Sequence, residues 1–296
     1  MQAKIKVVAA MLIFGSIGVL VRNIDLSPGE TAFLRAVIGS IFLLGTSFFL
    51  GHKFSSKSVK RNAPLLIFSG AALGTNWIFL FQAYEYTSIA NATLSYYFAP
   101  IFVILLAPLI LKERLTPAKT ACVFVAMLGL FLIVKAGNGG TVYSHNFIGI
   151  IYGLSASVLY AGVTLMNKLI KNLSGFETTL IQLMCAALVL LPYVALKNGL
   201  AFQGAFAGAN FRLITLILII GIVHTGFVYF LYFTAIKELK TQTIAVLSYI
   251  DPVSAVIIAA IFLSEPLGTL QIVGGILILG SASFPLGHDK CFSSHR

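Results

Sequence analysis

The stretch Leu94-Ser95-Tyr96-Tyr97-Phe98-Ala99-Pro100, with Glu113-Arg114-Leu115 after it, has a second copy in the chain. The copy reads Leu247-Ser248-Tyr249-Ile250-Asp251-Pro252, with Glu265-Pro266-Leu267 after it, and the spacing from proline to glutamate is thirteen in both. A shift of 152 residues, without gaps, brings Tyr97 onto Tyr249, Pro100 onto Pro252, Glu113 onto Glu265 and Leu115 onto Leu267. The same shift pairs Phe81 with Phe233, Ala83 with Ala235, and Gly74 with Gly226. Nearer the start of each half the shift is 147, pairing Glu30-Thr31 with Glu177-Thr178 and Arg35 with Gln182, and the change falls in loops.

Both copies sit in apolar surroundings. Of the 296 residues, 58% are hydrophobic and 10% charged, with a mean hydropathy of +0.97. An average soluble domain carries about 25% charged residues. The mix excludes a soluble or disordered chain, and continuous apolar runs exclude an outer-membrane barrel. A spanning helix needs roughly 20 apolar residues. Ten apolar segments meet that reading: 6–22, 28–50, 63–83, 89–111, 118–136, 147–170, 177–197, 212–235, 242–263 and 267–286. Turn and charge signals separate them, among them Asp25 to Gly29, the basic stretch His52 to Arg61, Lys112 to Pro117, and Gly137 to Gly140. The leftovers are short, so no soluble domain is expected. The first segment has no small-residue cleavage site and reads as a helix rather than a leader. Cys122, Cys185 and Cys291 form no metal or disulfide pattern.

The net charge of +11 comes from short clusters between the segments. No basic stretch is interleaved with stacking aromatics, so nucleic acid is not an expected partner. Cytoplasmic loops collect Lys and Arg. With the N-terminus inside, fifteen basic residues lie inside, including Lys4, Lys53, Arg61, Lys112, Lys168 and Lys237. Only Arg22, Lys135, Lys197 and Arg212 lie outside, and Arg35 falls within a span. Both termini are therefore expected in the cytoplasm. Five segments per repeat is an odd number, so the second copy enters the membrane from the opposite side. The expected fold is all-α integral membrane, ten helices in two inverted five-helix repeats, 1–140 and 141–296. Secondary transporters use that plan, with the substrate near the midplane between the halves.

The paired units around Pro100–Glu113 and Pro252–Glu265, with ten segments in about 300 residues, resemble the drug/metabolite transporter superfamily in its EamA-type branch. The resemblance covers nearly the whole chain. It implies a cavity lined by helices 1, 3, 4, 6, 8 and 9, and movement of small metabolites, often outward.

Polar groups at hydrocarbon depth are costly and mark function by default. Asp251 precedes Pro252 well inside the ninth segment. It reads either as a proton or cation site, or as a kink stabiliser bonded to a hydroxyl such as Ser248. Arg35, seven residues into the second segment, either holds a carboxylate or phosphate by a bidentate contact, or pairs with Glu30 or Asp25 and snorkels. Glu113 and Glu265 close the fourth and ninth segments, where a carboxylate satisfies the free N–H groups of the next helix. They read as structural or gating groups, and Pro100 and Pro252 as bending points.

Aromatic stripes fall at helical spacing. Trp77, Phe81 and Tyr84 share one face of the third segment, and Thr225, Tyr229 and Tyr232 one face of the eighth. Trp77 and Tyr229 are repeat partners, as are Tyr97 and Tyr249. These four are candidates to surround one cavity, with ring faces for the apolar or cationic part of a solute. Asn76, Asn91, Ser95, Asn167, Gln182 and His224 are the remaining polar groups within the segments. They serve either substrate or interhelical bonding.

No GxxxxGK[ST] loop for ATP occurs, so no cofactor is expected. No cluster of carboxylates or histidines suits an enzyme acting on lipid. The favoured function is a secondary transporter in the cell (inner or plasma) membrane. Its partners are the bilayer, a small solute such as an amino acid or related amphiphilic compound, and a proton or cation as candidate coupling ion. A drug-like amine is the alternative, or a lipid or nucleotide-sugar carrier. A monomer and a homodimer are equally open.

Overall fold

The computed structural model describes residues 2–21, 23, 24, 26–51, 55–87, 92, 95–113, 116–136, 146–198, 211–263 and 268–288. Among these, the elements are helices: α1 (Gln2–Val21), α2 (Pro28–Phe49), α3 (Ser56–Tyr86), α4 (Ala99–Leu111), α5 (Pro117–Ala136), α6 (Asn146–Leu169) and α7 (Gly175–Asn198). They continue with α8 (Phe211–Ile236), which contains a π turn at Ile222–Phe227, then α9 (Thr241–Ser248), α10 (Ile250–Leu263) and α11 (Thr269–His288).

Six of them, α1, α2, α3, α6, α7 and α8, are long and apolar enough to cross a membrane. The fourth and ninth segments behave differently from the uninterrupted runs expected. The helix is interrupted at Tyr97-Phe98 before α4 and at Tyr249 between α9 and α10. Proline accounts for both breaks, because it has no N–H to continue the helical hydrogen-bond ladder across its position. Pro100 and Pro252 therefore stand in the first turn of a new helix rather than at a bend within one. The basic stretch expected as a loop also differs. Residues from Ser56 onward are already helical, because Ser55 accepts the N–H of Ser58 and starts α3 early.

Two capping boxes fix the starts of α2 and α7. Ser27 Oγ accepts from Glu30 N–H while the Glu30 carboxylate accepts from Ser27 N–H at 3.0 Å. Ser174 and Glu177 repeat the arrangement, at 3.1 and 2.9 Å. A sequence S-x-x-E predicts each box.

In the packing, α3 lies on α6 and α7, α8 on α1 and α2, α4 on α6, and α10 on α1. Helices α2 and α7 touch, as do α5 and α11. Small residues bring the backbones together. Gly15 of α1 sits directly on Asp251, Ser254 and Ala255 of α10, and Gly129 of α5 sits on Gly274 of α11. Helices α1, α4, α6, α8, α9 and α10 thus converge on one central region.

Candidate functional site

That region holds a cavity of about 70 Å³, with room for roughly five waters. Met11 and Phe14 of α1 line it, with Tyr96, Tyr97, Ala99 and Pro100 at the start of α4. Tyr160 of α6, Tyr229 of α8, Ser248 of α9 and Asp251 of α10 complete the wall. The helix breaks put these groups there. A side chain just after a break sits at a helix start inside the bundle, not on an outer face.

Asp251 Oδ2 accepts a hydrogen bond from the Tyr97 hydroxyl at 2.8 Å. The partner is a residue of the other sequence half, not Ser248, which donates to Ile244 O. No cation reaches Asp251 among the described residues. An uncompensated charge at hydrocarbon depth costs about 2.5–3.5 kcal/mol on insertion scales. Stability alone does not call for one here.

Arg35 does not pair with Glu30, whose carboxylate is taken up by its capping box. Asp25, its other expected partner, lies outside the described residues. Arg35 turns inward instead. Its Nε donates to Thr225 Oγ1 at 2.9 Å and its Nη2 to His224 O at 3.4 Å. Its guanidinium lies 4.7 Å from the centre of the Trp77 ring. That carbonyl lies in the π turn, where Val228 N–H bonds the carbonyls of Thr225 and Val223 rather than that of His224.

The aromatic candidates divide. Tyr97 and Tyr229 line the cavity. Trp77 is one layer out, edge-on to Tyr229 with centroids 6.0 Å apart, and so lies between cavity and α2. Tyr232 is buried against Phe14, with its hydroxyl in reach of Tyr160, Thr164 and Ser248. Tyr249 turns away, donating to Tyr97 O at 3.1 Å with Met127 Sδ nearby at 3.6 Å. The four repeat-related rings therefore do not form one wall. Phe81 packs against the core. The Tyr84 side chain, Asn91 and Glu265 lie outside the described residues.

The other polar groups join helices. Asn76 donates to Ala156 O at 2.6 Å, and its Oδ1 has no partner among the described residues. Gln182 bonds Ser69 and Asn167. Ser95 packs on Gly153 of α6. The His224 ring is held between Ser16 Oγ, 2.8 Å from Nε2, and Ile219 O.

Where α4, α6 and α8 end, a polar cluster closes the bundle. Glu113 Oε1 meets Lys168 Nζ at 2.9 Å, and Oε2 accepts the Thr241 N–H at 3.0 Å. The N–H it satisfies belongs to α9, not to the next helix α5. Burial works against its charge, but Lys168 and Thr241 prevail and hold the carboxyl below its ordinary value. Nearby, Lys237, one residue beyond the apolar stretch of α8, donates to Leu173 O and Thr178 Oγ1. Burial lowers its ammonium to about 8, and Glu177 opposes the shift only in part. Between about pH 8 and 10.5 the unfolded chain then binds more protons than the folded one. Stability against thermal unfolding should therefore rise with pH across that window, and Lys237→Met should flatten the rise.

Met11, Phe14, Tyr96 and Tyr160 were not among the sequence candidates. Tyr160 had a legible signal, since Tyr160, Thr164 and Asn167 form an i, i+4, i+7 polar stripe like those of the third and eighth segments. Tyr96 had none, because helical spacing fails at the break beside it.

The EamA-like transporter family model matches this chain over residues 2–135 and 147–285. A relative named as an uncharacterized transporter YxxF of Bacillus subtilis is 31% identical over 282 residues, covering 93% of this chain and 88% of its own. The pseudopaline exporter CntI of Pseudomonas aeruginosa is 27% identical, covering 92% and 91%. A solved crystal structure shares the fold at a TM-score of 0.83 and 17% identity, covering 96% of this chain and 97% of its own. This multi-pass membrane protein, with its helices gathered around a small polar-aromatic cavity, belongs to the EamA-like transporter family.

Proposed function

We propose that the protein is a secondary transporter that moves a small amphiphilic metabolite, an amino acid or close relative, out of the cell by alternating access. The carrying observation is Asp251, a carboxylate without a described cation, on the wall of a small aromatic cavity and bonded to Tyr97 of the other half. Its place in coupling is part of the reading. Opening the cavity between the halves breaks that bond, and protonation of Asp251 makes it weaker.

The reading includes ten spans in two inverted repeats, 1–140 and 141–296, with both termini in the cytoplasm of a cell-membrane protein. Three observations support the repeat. The family model matches two stretches, each about half the chain. Both halves open their second helix with the same capping box. The contacts also exchange: α3 on α6 and α7 corresponds to α8 on α1 and α2, and α4 on α6 to α10 on α1. The pseudopaline exporter among the relatives supports outward movement of a small metabolite. Pro100 and Pro252, each opening a helix after a break, are the proposed hinges. Glu113 is proposed to close the cytoplasmic end.

The test is efflux of a labelled amino-acid mixture from liposomes holding the purified protein, with and without a pH gradient. A subset of amino acids should leave, and Asp251→Asn should abolish efflux only where the gradient must drive it. Efflux indifferent to gradient and variant would make the protein a facilitative carrier and Asp251 structural. No efflux would overturn the amino-acid reading.

A further inference from the structure

Two opposite charges, neither with a counterion among the described residues, stand near Tyr229. Arg35 uses Nε on Thr225 and one Nη2 hydrogen on His224 O. A guanidinium has five N–H donors, so three are left without a described partner. Its one face is covered by Trp77, and no carboxylate among the described residues reaches it. Asp251 accepts one hydroxyl, from Tyr97, and meets no described cation. Tyr229 separates them. It lines the cavity beside Asp251 and meets Trp77 edge-on, and its hydroxyl lies in the field of both charges.

Buried charges are kept where they are compensated or where they work. These two form no ion pair: Asp251 lines the small cavity, while Arg35 lies just outside it, over Trp77, which meets the cavity-lining Tyr229 edge-on. A lone anion would leave Asp251 uncompensated, and a lone cation would leave Arg35 so. A solute carrying both charges on a short frame answers both at once, and a cavity of about 70 Å³ suits a short frame.

We propose that Arg35 and Asp251 are the two poles of a binding site for a zwitterionic solute. The carboxylate takes the free N–H groups of Arg35, the ammonium takes the carboxylate of Asp251, and Tyr229 swings aside to join the poles. The proposal rests on the transporter reading above and sharpens it. Net-neutral dipolar solutes are accepted, and single-ended ones of the same frame are discriminated against.

Trp77 is the only tryptophan in the chain and lies against Arg35. Its emission therefore reports on the Arg35 pole without transport. Protein in nanodiscs is titrated with three probe mixtures: non-aromatic amino acids, their amides, which lack the carboxylate, and the parent acids, which lack the amine. The same mixtures are tested for exchange in liposomes. Amino acids should change Trp77 emission at the lowest concentration. Arg35→Gln should weaken their binding about 10- to 100-fold, the loss expected for charged hydrogen bonds, and remove the preference over amides. Asp251→Asn should remove the preference over the parent acids. Arg35→Lys, which keeps the charge, should recover part of the affinity and show that the Gln variant is not simply misfolded.

Exchange of amino acids with the wild-type preferences kept in both neutral variants overturns the two-pole site and leaves the transporter reading standing. An Arg35-dependent Trp77 response without exchange of any mixture overturns the transport reading and leaves the poles. Absence of both the emission response and the exchange overturns both.

Discussion

Gly15→Ala is expected to disable transport and to destabilise the protein, although it adds one methyl group. A Cβ at Gly15 would collide with Ser254 Oγ and lie 2.8 Å from both Ala255 N and Asp251 O. The hydroxyl can rotate away, but the two backbone atoms cannot. Helix α1 must then back off α10. Overpacking of this kind costs about 1–3 kcal/mol. The displacement also moves Met11 and Phe14 away from Asp251, and all three line the cavity. Efflux should fall at least about tenfold, the rate equivalent of 1.4 kcal/mol. Gly45→Ala is the control. Nothing lies within 4 Å of its Cβ position, in the interior of α2. There alanine should be neutral, or stabilising by about 0.5–1 kcal/mol through helix propensity. Thermal unfolding and liposome efflux of the two variants side by side would show the contrast. Equal behaviour would mean that the α1–α10 contact is not tight in the membrane.

Glu113→Gln should have the second large effect. The carboxylate joins three elements at one end of the bundle, the end of α4, the end of α6 through Lys168, and the start of α9 through Thr241. Glutamine keeps the shape and can still accept the Thr241 N–H. It leaves the Lys168 ammonium, only 10% exposed, with Leu239 O as its one remaining partner among the described residues. Removing one partner of a fully buried pair costs about 3–5 kcal/mol. Glu113 is 25% exposed, so solvent screening brings the expected loss nearer to about 1–2 kcal/mol. The sign with pH follows from its lowered value. The wild-type contribution is complete above the ordinary carboxylate range and disappears only as pH falls through the still lower folded value. Unfolding of wild type and variant should therefore converge in acid and separate near neutrality. Lys168→Met with Glu113→Gln should lose less than the sum of the two single changes.

The fold was largely legible because membrane helices announce themselves by apolar length. Six of the ten expected segments coincide with the helices that are long and apolar enough to cross a membrane, with most ends within a few residues. At α3, Ser55 drew the helix into what read as a basic loop. At Tyr97-Phe98 and Tyr249, proline cut helices that hydropathy reads as continuous.

The site was legible only in part. Asp251 and Tyr97 were separate candidates, on polarity and on repeat position. That they bond each other is a property of two helix starts meeting in space, and no spacing in the chain encodes it. Tyr249 shows the limit of reasoning from the repeat. It is the partner of Tyr97 at the same shift, but Tyr97 points at a carboxylate and Tyr249 at a backbone carbonyl. A shared sequence pattern does not fix side-chain partners: Asp251, where the first copy has Ala99, gives the Tyr97 hydroxyl its carboxylate, and the Tyr249 hydroxyl donates to Tyr97 O. For Arg35, the sequence offered Glu30, but the capping box had first claim on that carboxylate.

The π turn in α8 also acts as a phase shifter. Each α-helical residue advances the side chain by about 100°, and the widened turn at Ile222–Phe227 absorbs one residue without adding a full step. Beyond the turn, Tyr229 and Tyr232 are rotated against the residues before it, and this lets one helix present Thr225 to Arg35 and Tyr229 to the cavity. Excising a single residue from the turn would restore an unbroken α-helix. It would also swing every later side chain of α8 about a quarter-turn. In this helix the length of the chain, as much as the identity of its residues, determines which groups face the solute.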